Sequence, residues 1–357
     1  HTFSFSLEGT GVNKEVGSGI TIMGYAGITN QDVAPHSIDI FNMSSIDQIQ
    51  VNMATKSCPI TTSLTGINAT PVVAPVPNYT IPITTPFALT GSATDANPGD
   101  VLTYCWEQND NSTTTGNASV ASPTKLTGPN WLSFSPTTNP VRTLPILATI
   151  LVGNSTTPPL PGGDAIATIE ALSSVARTLN FRLTVRDNRP YNAGTGAVGQ
   201  TAFTDMTVTV NAATGPFLIT TQNAAVSYTA GTTQTVSLSV NGTTGAPINC
   251  ANVKISFSTD GGVTFPTVLA ASTPNDGTED IIIPATPTTT GRIKVEAIGN
   301  IFFDINNASI TVTVPFGFTL STPAPVSSTC PTPVTLTTNT TATYTGGHSA
   351  DINLSAS

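Results

Sequence analysis

Few residues in this chain could do chemistry, and they are spread thinly. His1 carries an imidazole able to ligate zinc, but a catalytic zinc ion needs three protein ligands. The remaining histidines, His36 and His348, stand in turn-like sequence and are not expected to join it. Met23 follows twenty-two residues after His1, within Gly19-Ile20-Thr21-Ile22-Met23-Gly24-Tyr25-Ala26-Gly27-Ile28. Asp95-Ala96-Asn97-Pro98-Gly99-Asp100 offers oxygens at alternating positions. Calcium takes six to eight oxygens, so Asp95, Asn97 and Asp100 are its candidate ligands; a polar turn between strands explains the same residues. Ser258-Thr259-Asp260-Gly261-Gly262-Val263-Thr264-Phe265 fits S-x-D-x-G-x-T-[WF], where Asp260 would cap amides of its own hairpin. Glu279-Asp280 is the one adjacent acid pair, and no third carboxylate is placed near it, so paired-carboxylate glycoside chemistry finds no support.

Four cysteines, Cys58, Cys105, Cys250 and Cys330, allow three pairings. None lies in a C-x-x-C or Cys/His metal pattern. A Cys58–Cys105 disulfide is the preferred bridge, because it would tie the opening segment to the module that follows. Free buried thiols are the alternative.

The elements that must position these groups are strands. Only 9% of the residues are charged, while 29 Gly and 28 Pro punctuate a Thr- and Ser-rich chain. Thr and Val lose rotamer freedom in helices, and Gly and Pro interrupt them. A hydrophobic content of 38% with repeated alternation argues against disorder. Phe181, Leu183 and Val185 alternate with Arg182, Thr184 and Arg186, giving one buried and one wet face. Met206, Val208 and Val210 do the same, as do Val236 to Val240, Val253 to Phe257, and Ile310 to Val314. The fold class is therefore mainly β: tandem immunoglobulin-like antiparallel β-sandwiches, preceded by a small, partly helical segment. Ser44 with Asp47 is a helix-start signature, and Ile46, Ile49 and Met53 fall on one helical face.

Punctuation sets the expected boundaries: an opening segment at 1–60, a first sandwich at 61–212, a second at 213–315, and the start of a third at 316–357. The Pro-rich stretch 56–86 reads as an extended linker into an edge strand. Trp106 is expected in the core of the first sandwich.

The net charge of −9 arises from 20 acids and 11 bases, with no Lys/Arg cluster. Phosphate neutralisation has no platform, so nucleic acid is not an expected partner. No apolar run approaches the roughly 18 residues that span a bilayer. Three lysines among residues 1–200 and a Thr/Ser/Asn-rich surface suit an extracellular, secreted protein, attached or not to a cell surface.

The opening residues resemble the end of the catalytic domain of metzincin, reprolysin-like zinc metallopeptidases exported by Bacteroidetes-type bacteria. The metzincin motif is H-E-x-x-H-x-x-G-x-x-H followed by a Met-turn. His1-Thr2-Phe3, Glu8-Gly9-Thr10-Gly11-Val12-Asn13, Gly17 to Ile28 and Ser45-Ile46-Asp47-Gln48-Ile49 carry the likeness. Later stretches resemble the modules that trail such domains: Pro86 to Asp95, Leu102 to Gln108, Ala176 to Asn188 and Asn249 to Ser256. The resemblance implies His1 as a third zinc ligand and Met23 as the Met-turn residue packed beneath the metal. It also implies a secreted, multidomain zinc peptidase, exported by the type IX route. H-E-x-x-H is absent, and Phe41-Asn42 stands where relatives tend to have an aromatic followed by His. The two helical histidines and the catalytic glutamate are thus expected before residue 1, and this chain alone is expected to be inactive and not to hold Zn²⁺.

Two functions compete. In one, sandwich modules position a catalytic head on a protein substrate or cell surface, with peptide substrate engaged through the part outside this chain. In the other, the chain is a fibre, sheath or adhesin subunit that self-associates through exposed strand edges. Carbohydrate binding would need an exposed aromatic platform, and Trp106 and Trp131 are the only tryptophans.

Overall fold

The computed structural model describes residues 1–8, 11–58, 62–315, 317–320 and 341–345. Among the described residues, strands make up 33% and helices 6%, which makes the fold mainly β. Cys330, His348, Gly9, Thr10 and most of the expected third module lie outside the described residues. The strands Gly317–Leu320 and Ala342–Thr345 pair with each other.

The first sandwich is built on a four-stranded sheet in the order Tyr79–Pro82, Thr201–Asn211, Arg177–Arg186, Thr103–Gln108. Phe87–Thr90 and Val141–Leu144 form a separate antiparallel pair. Alternation sends Leu179, Phe181, Leu183 and Val185 to the inner face, where they join Phe87, Trp106, Trp131 and Leu144. Tyr79–Pro82 forms one edge of the sheet, running parallel to Thr201–Asn211 with Tyr79 opposite Val208. The second sandwich repeats the device: Val226–Thr229 runs parallel to Ile310–Thr313, with Val226 opposite Ile310. Its larger sheet continues through Thr288–Ala297, Asn252–Ser258 and Thr267–Pro274. Leu218–Ile219, Thr233–Ser239 and Thr278–Ile282 form the opposing sheet. Both sandwiches are of immunoglobulin-like type.

The two sandwiches share one apolar core. Phe217 meets Phe302 edge-on at 5.2 Å between ring centroids, and Phe87 bridges to Phe302 along the backbone. Ala88 N donates to Ile301 O at 2.9 Å, and Phe303 N donates to Pro86 O at 3.0 Å. Burial of apolar surface therefore runs without a break from Phe181 to Phe257.

Three expectations are corrected. The outer face of Arg177–Arg186 is not wet: Arg182 and Thr184 are buried, because the opening segment covers them. Arg182 donates to Asp47 on one side and Asp205 on the other at 2.6–2.9 Å, and its guanidinium lies 3.7 Å from the Phe203 ring centroid. The helix Met43–Ala54 starts two residues earlier than its Ser44 signature suggested, since the Asn42 side chain accepts from Ser44 N at 2.9 Å. Its buried residues are Met43, Ser44 and Ser45, while Ile49 and Met53 are exposed. The helix docks by its first turn, so the Ile46–Ile49–Met53 stripe does not form a core face. Finally, Cys58 and Cys105 are free thiols. Cys58 is exposed, whereas Cys105 is buried and its Sγ contacts Phe134 O at 3.3 Å; burial pushes that thiol up to about 12.

Candidate functional site

The opening segment is organised around a carboxylate that the sequence did not single out. Glu15 has no exposed surface. Its Oε1 accepts from Ile20 N and Thr21 N at 2.9 Å, and its Oε2 accepts from Thr21 Oγ1 at 2.7 Å and from Thr2 Oγ1. Four donors converge on one buried group, as a buried charge requires. Glu15 thereby ties the opening strand-like residues to the bend that holds Met23. The only signal for it was an acid followed directly by an apolar residue and a glycine, Glu15-Val16-Gly17.

The bend lies directly against the first residues. Thr2 N donates to Met23 O at 3.2 Å, Gly24 N closes the turn on Thr21 O at 2.8 Å, and Tyr25 N donates to Ser18 O at 2.7 Å. Phe3 stacks on Tyr25 at 4.3 Å between ring centroids, and the His1 ring sits 4.8 Å from Tyr25. Met23 itself is half-buried. On the open side, His1 Nδ1 lies 2.5 Å from Glu8 Oε2, with the Tyr25 hydroxyl 3.4 Å from both ring nitrogens. Partial desolvation and the Glu8 carboxylate hold the Tyr25 hydroxyl above its ordinary value. A carboxylate on Nδ1 fixes a histidine with Nε2 as its ligating nitrogen, the usual outer-shell arrangement at zinc. One imidazole is not a site, and His36 is exposed in a different stretch.

The segment docks on the first sandwich through Glu107, another fully buried carboxyl. It accepts from Asn42 Nδ2 at 2.9 Å, Met43 N at 3.2 Å and Ser133 Oγ at 3.0 Å. Burial pushes it up to about 7, with Arg186 pulling the other way.

The acidic loop folds differently from its linear spacing. Asn97 Oδ1 accepts from Ala69 N at 2.6 Å, and Asn97 N donates to Asp95 Oδ1 at 2.7 Å. Asn97 is thus a tie within the turn. Its place beside Asp95 and Asp100 is taken by Asp187, and carboxylate oxygens of the three lie within 4.8 Å of one another. Asp187 follows directly on Arg177–Arg186, and nothing in its sequence spacing marked it as a ligand.

Asp260 accepts from Val263 N at 3.0 Å, Thr264 N at 2.9 Å and Thr264 Oγ1 at 2.6 Å, and from Ser258 Oγ at 2.6 Å. Those bonds, Ser258 first, hold its carboxyl below the usual range. Glu279 and Asp280 are neighbours in Thr278–Ile282, so the pleat sends them to opposite faces. Asp280 bonds Thr235 at 2.6 Å, and Glu279 bonds Thr273. Trp106 and Trp131 are 3% and 1% exposed, which leaves neither as a sugar platform. Among the described residues, no helix is long and apolar enough to cross a membrane.

No family model and no curated protein matches the chain. Solved structures do match it at low identity. The N-terminal Ig1-2 module of the Drosophila receptor protein tyrosine phosphatase DLAR shares 12% identity, covering 69% of this chain and 100% of that one, with a TM-score of 0.32. A structure of tandem Ig repeats of Dlar shares 13% identity over 69% and 98% of the two chains, also with a TM-score of 0.32. A Bacteroides ovatus mixed-linkage glucan utilisation protein, SGBP-B, in complex with a mixed-linkage heptasaccharide, shares 15% identity over 69% and 48%, with a TM-score of 0.19. The fold assignment rests on the strand registers given above.

Proposed function

We propose that this chain is the C-terminal accessory region of a secreted zinc metallopeptidase, in which the sandwiches position a catalytic head on protein substrate or a cell surface. The observation that carries the reading is the seat of His1. The Thr2–Met23 backbone bond places the methionine bend against the first imidazole, and Glu8 takes its Nδ1. A metal cradle of the metzincin kind needs this pairing of ligand and bend. Zinc in a completed centre would polarise a peptide carbonyl and activate a water. The residues of this chain would supply one imidazole, its Glu8 orienter and the Tyr25 hydroxyl at the rim. Glu15 holds the bend, and Glu107 with Arg182 clamps that platform rigidly onto the first sandwich.

The test is zinc content and proteolysis in the native protein that carries this chain. Replacing His1 by Ala is expected to remove most of the bound zinc and to lower peptide hydrolysis by about 10² or more, with the β signature in circular dichroism unchanged. A native protein that holds no zinc, or an H1A variant with full zinc and full activity, contradicts the proposal.

A further inference from the structure

Asp95, Asp100 and Asp187 come from two loops at one end of the first sandwich, the loop before Thr103–Gln108 and the turn after Arg177–Arg186. Gly99, at φ 94°, permits the reversal that brings Asp100 back towards Asp95. The Asp100 side chain is only 6% exposed. Its Oδ1 accepts from Arg189 at 2.8 Å, while its Oδ2 is buried and has no hydrogen-bond partner. Asp95 repeats the pattern: Oδ1 accepts from Asn97 N at 2.7 Å, and Oδ2 is buried without a partner. Asp187 is 1% exposed. Asn68, 4% exposed, donates to Asp187 Oδ2 at 2.6 Å, and its own Oδ1 also lacks a partner.

Three carboxylates face one guanidinium, which leaves the cluster at a net charge of −2. Buried acceptors without donors are costly, and buried like charges are more so. A hard divalent cation cancels both costs at once, because it neutralises the charge and satisfies the idle oxygens. We infer that Asp95, Asp100 and Asp187, with the Asn68 carbonyl oxygen, form a calcium site. Calcium suits the set better than magnesium, since it accepts irregular coordination by six to eight oxygens with water completing the shell. Asn68 belongs to the segment that links the opening platform to the sandwich. An ion here would therefore staple that linker to two loops of the first module. The inference stands on its own observations and does not depend on the peptidase reading.

The test is a calcium titration of the 357-residue chain after treatment with EGTA, followed by calorimetry and by thermal unfolding. One calcium per chain is expected, with a melting temperature that rises as calcium passes through the range of roughly 10⁻⁴ to 10⁻³ M typical of extracellular modules. Magnesium at the same concentration is expected to give a much smaller rise. Asp187→Asn is expected to abolish binding. Asp95→Asn keeps the acceptor for Asn97 N, so it retains the turn. Its calcium affinity is expected to fall at least about tenfold, while its melting temperature in EGTA stays equal to or above that of the parent. A parent chain showing neither heat nor thermal shift up to about 10 mM calcium, or an Asp95→Asn chain that binds like the parent, overturns the inference.

Discussion

Glu107 shows what single residues decide here. Its carboxyl is buried between strand Thr103–Gln108 and the start of the helix, and burial raises it from 4.5 to about 7. The folded state therefore takes up this proton more readily than the unfolded chain does. Between pH 4.5 and about 7 the folded state binds more protons, so the Glu107 contribution makes stability fall as pH rises through that window. Urea denaturation across it should show this slope, and Glu107→Ala should flatten it while loosening the opening segment. A slope unchanged in the variant would contradict the assignment. None of this was legible in Tyr104-Cys105-Trp106-Glu107-Gln108, where alternation marks only which residues share a face. Glu15 was hidden for the same reason. Burial of an acid depends on which donors arrive from elsewhere, and Thr2 and Thr21 arrive through tertiary structure. Asp260 was legible, because its partners lie within four residues.

Among the elements, strands could be read from their period and the helix could not be read correctly from its face. Period-two alternation reports burial on one side of a sheet, and Leu179 to Val185 obeyed it. What covers the other side is a tertiary matter, so Arg182 and Thr184 are buried against expectation. The helix has an apolar stripe, yet it is anchored through Asn42 and Met43 by a cap and a carboxylate, and its remaining turns project outward. Replacing Asn42 by Ala removes both the cap and a bond to Glu107. The expected loss is about 1–2 kcal/mol in urea unfolding, with protease nicking appearing first within Met43–Ala54. A variant as stable and as resistant as the parent would show that the helix docks by other means.

Across the whole molecule, the continuous core predicts that the two sandwiches unfold together. Calorimetry should give one transition for both, because separating them would expose Phe217, Phe302 and Phe87 at once. Phe302→Ala is expected to cost about 3–5 kcal/mol and to lower the melting of both sandwiches in parallel; two separate transitions would refute the shared core. The accessory reading needs no self-association, and light scattering is expected to report a monomer. Filaments would favour a structural fibre over a peptidase accessory region. The turn punctuation at Ala212 to Pro216 was visible in the sequence, but the absence of slack there was not, since Ile83 N reaches Thr214 O at 3.0 Å across it.

The most direct measurement is the sequence encoded immediately ahead of the His1 codon in the parent gene. The peptidase reading predicts H-E-x-x-H-x-x-G-x-x running straight into His1, two helical histidines and a glutamate completing the cradle. Any other ten residues there would mean that the histidine and the methionine bend meet for structural reasons alone.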